Sequence, residues 1–188
     1  TKGALNGDRV CIKILEENGI KPDLIIGTSM GAVVGCAYAS GKNADDLIKL
    51  SKTLNSKQFI DFNIFHAIFH NSILQGKRLK KVLIKEIGDI SHNELKIPFI
   101  AIATNLLEGE IEILSEGRVV DNVLASSAIP GVYPAIKQDD KILCDGGILD
   151  NVPDDIAKKW CKNNVILSVD VIGDFNRQIE TSKFKIMS

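Results

Sequence analysis

Residues 23–41, DLIIGTSMGAVVGCAYASG, leave the chain few choices of fold. A short apolar run, read as a buried strand, meets a serine with a glycine two positions away on either side, and a small-residue helical pattern follows at once. Strand and helix patterns go on alternating along the chain. VCIKILEENG (10–19) reads as a mostly buried helix that Gly19 closes before Pro22, and KNADDLIKLSKTL (42–54) as an amphipathic helix with Leu47, Ile48 and Leu50 inside. IPFIAIATNL (97–106) and EIEILSEG (110–117) read as strands, GRVVDNVLASSAIPG (117–131) as a helix stopped by Pro130, and KILCDGG (141–147) as a strand ending in glycines. VPDDIAKKWCKN (152–163) and NVILSVDV (164–171) supply one more helix and strand. The alternation predicts α/β, and near-continuous β-branched runs such as VILSVDV predict strands covered on both faces: a mostly parallel sheet between helix layers.

A chain of 188 residues is enough for one domain with a sizeable core. A single domain over residues 1–173 is expected, with 174–188 as a C-terminal tail. The chain opens at Thr1, and an N-terminally truncated domain with further residues upstream is expected. With 45% hydrophobic and 25% charged residues and a net charge of −1, nothing calls for nucleic acid. Cys11, Cys36, Cys144 and Cys161 form no C-x-x-C pair and sit in apolar segments, as free thiols of a reducing cytoplasm do. No apolar run reaches the roughly 18 residues of a membrane span.

The pattern G-x-S-x-G at Gly27–Gly31 is cheap, since at average composition a random chain of this length contains one in roughly one case in fifteen. Its setting is more specific. A nucleophile elbow needs a strand just before the serine and a helix just after, and both are readable here. Glycine at both flanks relieves a sharp turn in which a Cβ would clash, and the helix N-terminus beneath favours developing negative charge. Ser29 is then a candidate nucleophile, with Gly27, Thr28, Met30 and Gly31 as its motif. The competing reading is a glycine-rich turn in which Ser29 or Thr28 caps the helix.

A serine nucleophile needs a base. The three histidines, His66, His70 and His92, all precede Asp145, the last plausible acidic partner, whereas an α/β-hydrolase triad runs Ser, Asp or Glu, then His. His66 and His70, four apart in an aromatic stretch, read as one face of a helix, and His92 in DISHNE as a solvated loop residue. Asp145 ends a strand and precedes Gly146 and Gly147, where backbone can pass close to a substrate. In a parallel sheet it would share a rim with Ser29. Asp-Gly is also a common turn dipeptide, which leaves a plain turn as the alternative.

GTSMG and DGG, with ASSAIPGVYPA between them and NVP just after, resemble the patatin-like phospholipase family in order and spacing along most of the chain. The resemblance implies a three-layer α/β/α sandwich and a lipid acyl hydrolase with a Ser and Asp dyad that needs no histidine, cofactor or metal. Carried over, Ser29 is the nucleophile and Asp145 the general base, with Gly146 and Gly147 completing the Asp-Gly-Gly motif. Ser126, Ser127, Ala128, Pro130, Asn151 and Pro153 match further positions that shape the site. The family's glycine-rich oxyanion loop is represented only by TKG, which makes Gly3 the one candidate donor and Lys2 and Gly3 the end of that loop. Asp139, Asp140, Asp154 and Asp155 read as solvated caps and turns.

The implied substrate is a phospholipid or another acyl ester. Phe59, Phe62, Phe65 and Phe69, spaced three or four apart with Ile64 and Ile68 beside them, form an apolar helical face. Core packing explains it, as does a cap over an acyl pocket or a transient contact with a membrane surface. The basic stretch after it, with Lys77, Arg78, Lys80, Lys81 and Lys85, suits anionic head groups or a solvated amphipathic helix. Two rival classes stay open: an acyltransferase of related fold with a histidine base, and a non-catalytic lipid-binding domain.

Overall fold

The structure is a computed structural model that describes residues 2–54, 73–161, 165–171 and 184–187. Its strands are β1 (Ile25–Thr28), β2 (Phe99–Asn105), β3 (Glu110–Leu114), β4 (Ile136–Gln138), β5 (Lys141–Asp145), β6 (Ile166–Val169) and β7 (Phe184–Met187). Its helices are α1 (Lys2–Glu17), α2 (Met30–Ala39), α3 (Ala44–Leu54), α4 (Ile73–Ile87), α5 (Val119–Ser126) and α6 (Asp154–Trp160).

The main sheet is organised around β2. β1 lies parallel to its first half, with Ile25 opposite Phe99 and Thr28 opposite Ile102. β3 pairs antiparallel with Ala101–Asn105, and β5 pairs antiparallel with Ala103–Asn105, placing Asp145 opposite Ala103. A strand has two edges, and β3 overlaps both of the other stretches, so β1 and β5 share the edge that β3 leaves. They run towards one another along it, and their carboxyl ends meet at the step from Ile102 to Ala103.

The sheet is therefore mixed, not mostly parallel as the apolar strand runs suggest. Its connections explain why. Residues 106–109 join β2 to β3, and Asp139–Asp140 join β4 to β5, links too short for the crossover that a parallel neighbour requires. Asp139 takes φ 51° in its turn, a left-handed conformation that Asp tolerates better than most residues.

Side chains alternate across β2 and feed two layers. Phe99, Ala101 and Ala103 join the larger core with α2, α4 and α5, where Val33, Leu83, Val119 and Val123 are fully buried. Ile100 and Ile102 pack on the other face with Ile26, Leu24 and Ile156 of α6. Helices thus cover both faces, as a three-layer sandwich requires. Burying a side chain such as Leu83 contributes roughly 1.5–3 kcal/mol. The small residues Ala32, Cys36 and Ala39 let α2 lie close under β1 and β2.

Several local expectations change. α1 begins at Lys2, well before Val10, and it is not a mostly buried helix: Val10 and Ile14 are exposed while Cys11 is buried. α5 ends at Ser126, short of Pro130, because the next backbone turns to meet the strand junction. β4 carries too short and polar a pattern, IKQ, to stand out in the sequence. β6 is half-buried and pairs outside the main sheet with β7, which lies within the expected tail. The phenylalanine-rich face over 59–69, with His66 and His70, lies outside the described residues, as do the side chains of Lys77 and Arg78. The rest of the basic stretch belongs to α4, which buries Leu79, Leu83 and Ile87 and directs Lys80 to Asp121 at 2.7 Å. Among the described residues no helix is long and apolar enough to cross a membrane.

Candidate active site

The site forms where β1 and β5 meet. Ser29 follows β1 with φ 54° and ψ −119°, a combination that L-residues avoid and that the surrounding contacts must hold in place. The turn is tight enough that a Cβ on Gly27 would lie 2.6 Å from the Gly31 carbonyl oxygen and 2.7 Å from the Ala32 nitrogen. The steric need is one-sided. A Cβ on Gly31 would meet nothing within 4 Å, so only the glycine before the serine is required by packing.

The Ser29 hydroxyl does not cap α2. It donates instead to Asp145 Oδ2 at 2.6 Å. The other carboxylate oxygen, Oδ1, accepts the Gly147 N–H at 2.8 Å, so the Asp-Gly turn and the contact with serine coexist in one side chain. Beyond Asp145 the chain runs into the end of β1 and must swing aside. A Cβ on Gly146 would sit 2.3 Å from the Ile102 carbonyl oxygen and 3.0 Å from Thr28 Cγ2, which is why this residue is glycine. Asn151 lies against the same turn, its Oδ1 3.0 Å from where a Gly147 Cβ would be. Pro153 precedes the first turn of α6.

Asp145 is buried, and burial pushes its carboxyl above the ordinary carboxylate value, against the opposing hydrogen bonds from Ser29 and Gly147. A more basic carboxylate beside a serine hydroxyl is what proton abstraction needs. Its backbone is fixed as well: the N–H donates to Ala128 O at 3.0 Å, and the carbonyl accepts from Thr104 Oγ1 at 3.1 Å. Ser29 is held from the same side. Its N–H donates to Ser126 Oγ at 2.9 Å, and its carbonyl accepts from Ser127 Oγ at 3.1 Å. The Ser29 carbonyl also takes the N–H groups of Ala32 and Val33, so the positive end of α2 points at the elbow.

Other candidate residues sit elsewhere. Lys2 and Gly3 lie in the first turn of α1, a helix rather than the end of a loop, since helix-forming residues such as Ala4 and Leu5 continue the pattern. His92 is buried, not a solvated loop residue. Its Nδ1 lies 3.0 Å from the Phe99 carbonyl, its ring stacks on Phe99, and the Asn122 amide reaches Nε2 at 3.0 Å. Donation from Nδ1 leaves Nε2 as the acceptor, a neutral ring, and burial lowers its pKa. This network lies at the start of β2, about 10 Å from Ile102 at the usual rise per residue. Asp139 and Asp140 are exposed in their turn, and Asp154 and Asp155 open α6.

A cavity of about 570 Å³ lies between α4, α5 and β4, walled by Leu79, Leu124, Tyr133 and Ile136. It reaches Ser127 and Ala128, whose hydroxyl and carbonyl bind the two members of the Ser29 and Asp145 pair. The hydroxyl contacts of Ser126, Ser127 and Thr104 leave no periodic trace in the sequence.

Residues 3–158 match the sequence model of the patatin-like phospholipase family. An NTE family protein of Mycobacterium bovis is 34% identical over 142 residues, covering 76% of this chain and 39% of that protein. The lysophospholipase nte1 of Aspergillus fumigatus is 29% identical over 162 residues, covering 85% of this chain and 11% of its own length. The chain thus spans well under half the length of these relatives. VipD of Legionella pneumophila shares the fold, with a TM-score of 0.54 at 15% identity over 81% of this chain and 45% of VipD.

Proposed function

The chain belongs to the patatin-like phospholipase family, and from that premise we propose that it hydrolyses carboxylic esters of lipids through a Ser29 and Asp145 dyad and an acyl-enzyme. The observation that carries this reading is the 2.6 Å hydrogen bond from Ser29 Oγ to a buried carboxylate of raised pKa. A lysophospholipase among the relatives favours a phospholipid or lysophospholipid ester as substrate.

As Ser29 Oγ attacks the ester carbonyl carbon, its proton passes to Asp145 Oδ2. The carbonyl oxygen becomes an oxyanion at the N-terminus of α2, where the Met30 N–H follows the nucleophile. The tetrahedral intermediate collapses as the alcohol leaves with the proton from Asp145, and Ser29 is left acylated. Water then gives its proton to Asp145 and attacks the acyl carbon; collapse releases the fatty acid and returns the proton to Ser29. The wall of Leu79, Leu124, Tyr133 and Ile136 in the cavity that reaches Ser127 and Ala128 suits the acyl chain. The dyad needs neither metal nor cofactor.

A fluorophosphonate probe followed by peptide mass spectrometry tests this reading. Labelling at Ser29, absent in Ser29→Ala, is the expected result. A folded protein that binds lipid vesicles without labelling would instead establish a non-catalytic lipid-binding domain.

A further inference from the structure

Ser126 ends α5 with no solvent exposure. Its hydroxyl donates to the Ile102 carbonyl at 2.6 Å and accepts the Ser29 N–H at 2.9 Å. A hydroxyl has one proton and two lone pairs, so giving the proton to Ile102 leaves the lone pairs for Ser29 and fixes both directions. Ile102 is the last residue of β2 that pairs with β1 before β5 takes over the same edge. One side chain therefore ties the end of the nucleophile's strand to the strand on which both catalytic ends are aligned.

The neighbours continue the grip. Ser127 Oγ holds the Ser29 carbonyl, and the Ala128 carbonyl holds the Asp145 N–H. With its N–H and carbonyl both tied, the Ser29 backbone stays at φ 54° and ψ −119°, and the hydroxyl stays aimed at Asp145. The Ser29 N–H, occupied by Ser126, is not free to serve an oxyanion.

We infer that Ser126 is a positioning residue for the dyad: its hydroxyl locks the strained nucleophile backbone to β2 at the junction of β1 and β5 without touching substrate. The inference rests on Ser29 being the nucleophile. Misplacing a reacting group by a fraction of an ångström to one ångström costs roughly 10- to 100-fold in rate.

The test compares wild type, Ser126→Ala and Ser126→Thr by fluorophosphonate labelling rate and by kcat, KM and pH profile on a nitrophenyl ester, each normalised to titrated Ser29. The expected result for Ser126→Ala is a labelling rate and kcat about 10- to 100-fold lower, with KM and the acid midpoint unchanged, because Asp145 keeps its burial and its Gly147 bond. Ser126→Thr, which retains the hydroxyl, restores the rate. Wild-type rates per site in Ser126→Ala, a shifted acid midpoint, or equal loss in the threonine variant would each overturn the inference. Should the alanine variant not fold, Ser126→Cys, close in volume but a weak hydrogen-bonding group, takes its place; if neither folds, the role is one of folding and the inference fails. A folded wild type that does not label overturns the proposed function and this role together, whereas a labelled wild type with an equally reactive Ser126→Ala overturns this role alone.

Discussion

Ser29 Oγ and Asp145 Oδ2 are in hydrogen-bond contact at 2.6 Å although 116 positions separate them in the chain. β2 brings them together: it pairs with the strand that leads into Ser29 and with the strand that ends at Asp145, at adjacent residues of one edge.

Replacing Asp145 with asparagine keeps the shape of the side chain and removes the proposed base. Asp145→Asn is expected to lower kcat by at least about 10³-fold, comparable to losing a member of a serine triad. Ser29→Ala should abolish probe labelling altogether. His66→Ala and His70→Ala should label at the wild-type rate. Ester hydrolysis and fluorophosphonate labelling check all four.

The raised carboxyl pKa of Asp145 sets a pH profile. With Asp145 as the proposed base, kcat/KM should rise with pH along an acid limb whose midpoint lies above 3.8, the ordinary value. Stability moves the other way. Between 3.8 and the raised value the folded chain keeps a proton that the unfolded chain releases, so this group's contribution is full below 3.8 and is lost as pH rises through the folded pKa. Paired thermal melts of wild type and Asp145→Asn across that window should diverge in that sense.

His92 gives the opposite dependence. Burial holds its pKa below the ordinary 6.5, so its contribution is present above 6.5 and is lost as pH falls towards the folded pKa, where the unfolded chain takes up a proton that the folded one refuses. Melting temperature should fall on acidification below about pH 6.5, and His92→Gln should flatten that slope. The same variant, once folded, should retain wild-type kcat per titrated Ser29.

The two glycines of the elbow should respond differently. Gly27→Ala drives a methyl group into the backbone of Gly31 and Ala32, and overpacking of this kind costs about 1–3 kcal/mol. Gly31→Ala meets open space inside a helix and should leave stability unchanged or raise it by up to about 1 kcal/mol. Chemical denaturation of the two variants checks the contrast.

What could be read from the sequence was local. The apolar run into Ser29, the small residues of α2 and the glycines after Asp145 each announce their surroundings within a few positions, so the elbow and the acidic turn were both visible. Strand direction was not, because LEGEIEIL and KQDDKILC signal hairpins only through their short links, while the apolar content of β2 speaks for burial in either sense. The burial of His92 has no local signal, since its neighbours Asn93 and Glu94 are exposed while Phe99, seven residues on, and Asn122, thirty residues on, enclose it. The hydroxyls of Ser126 and Ser127 lie within the run that reads as a helix up to Pro130, and only the pairing of distant strands gives them their partners.

Because β1 and β5 are joined through β2 and not to each other, the register of the sheet sets the distance between the two side chains. A slip of one residue between β5 and β2 would carry Asp145 about 3.3 Å along the edge and turn its carboxylate to the opposite face. The proposed esterase activity would therefore act as a gauge of strand alignment: a population that has collapsed and formed its helices, but paired one strand out of step, would be compact and silent.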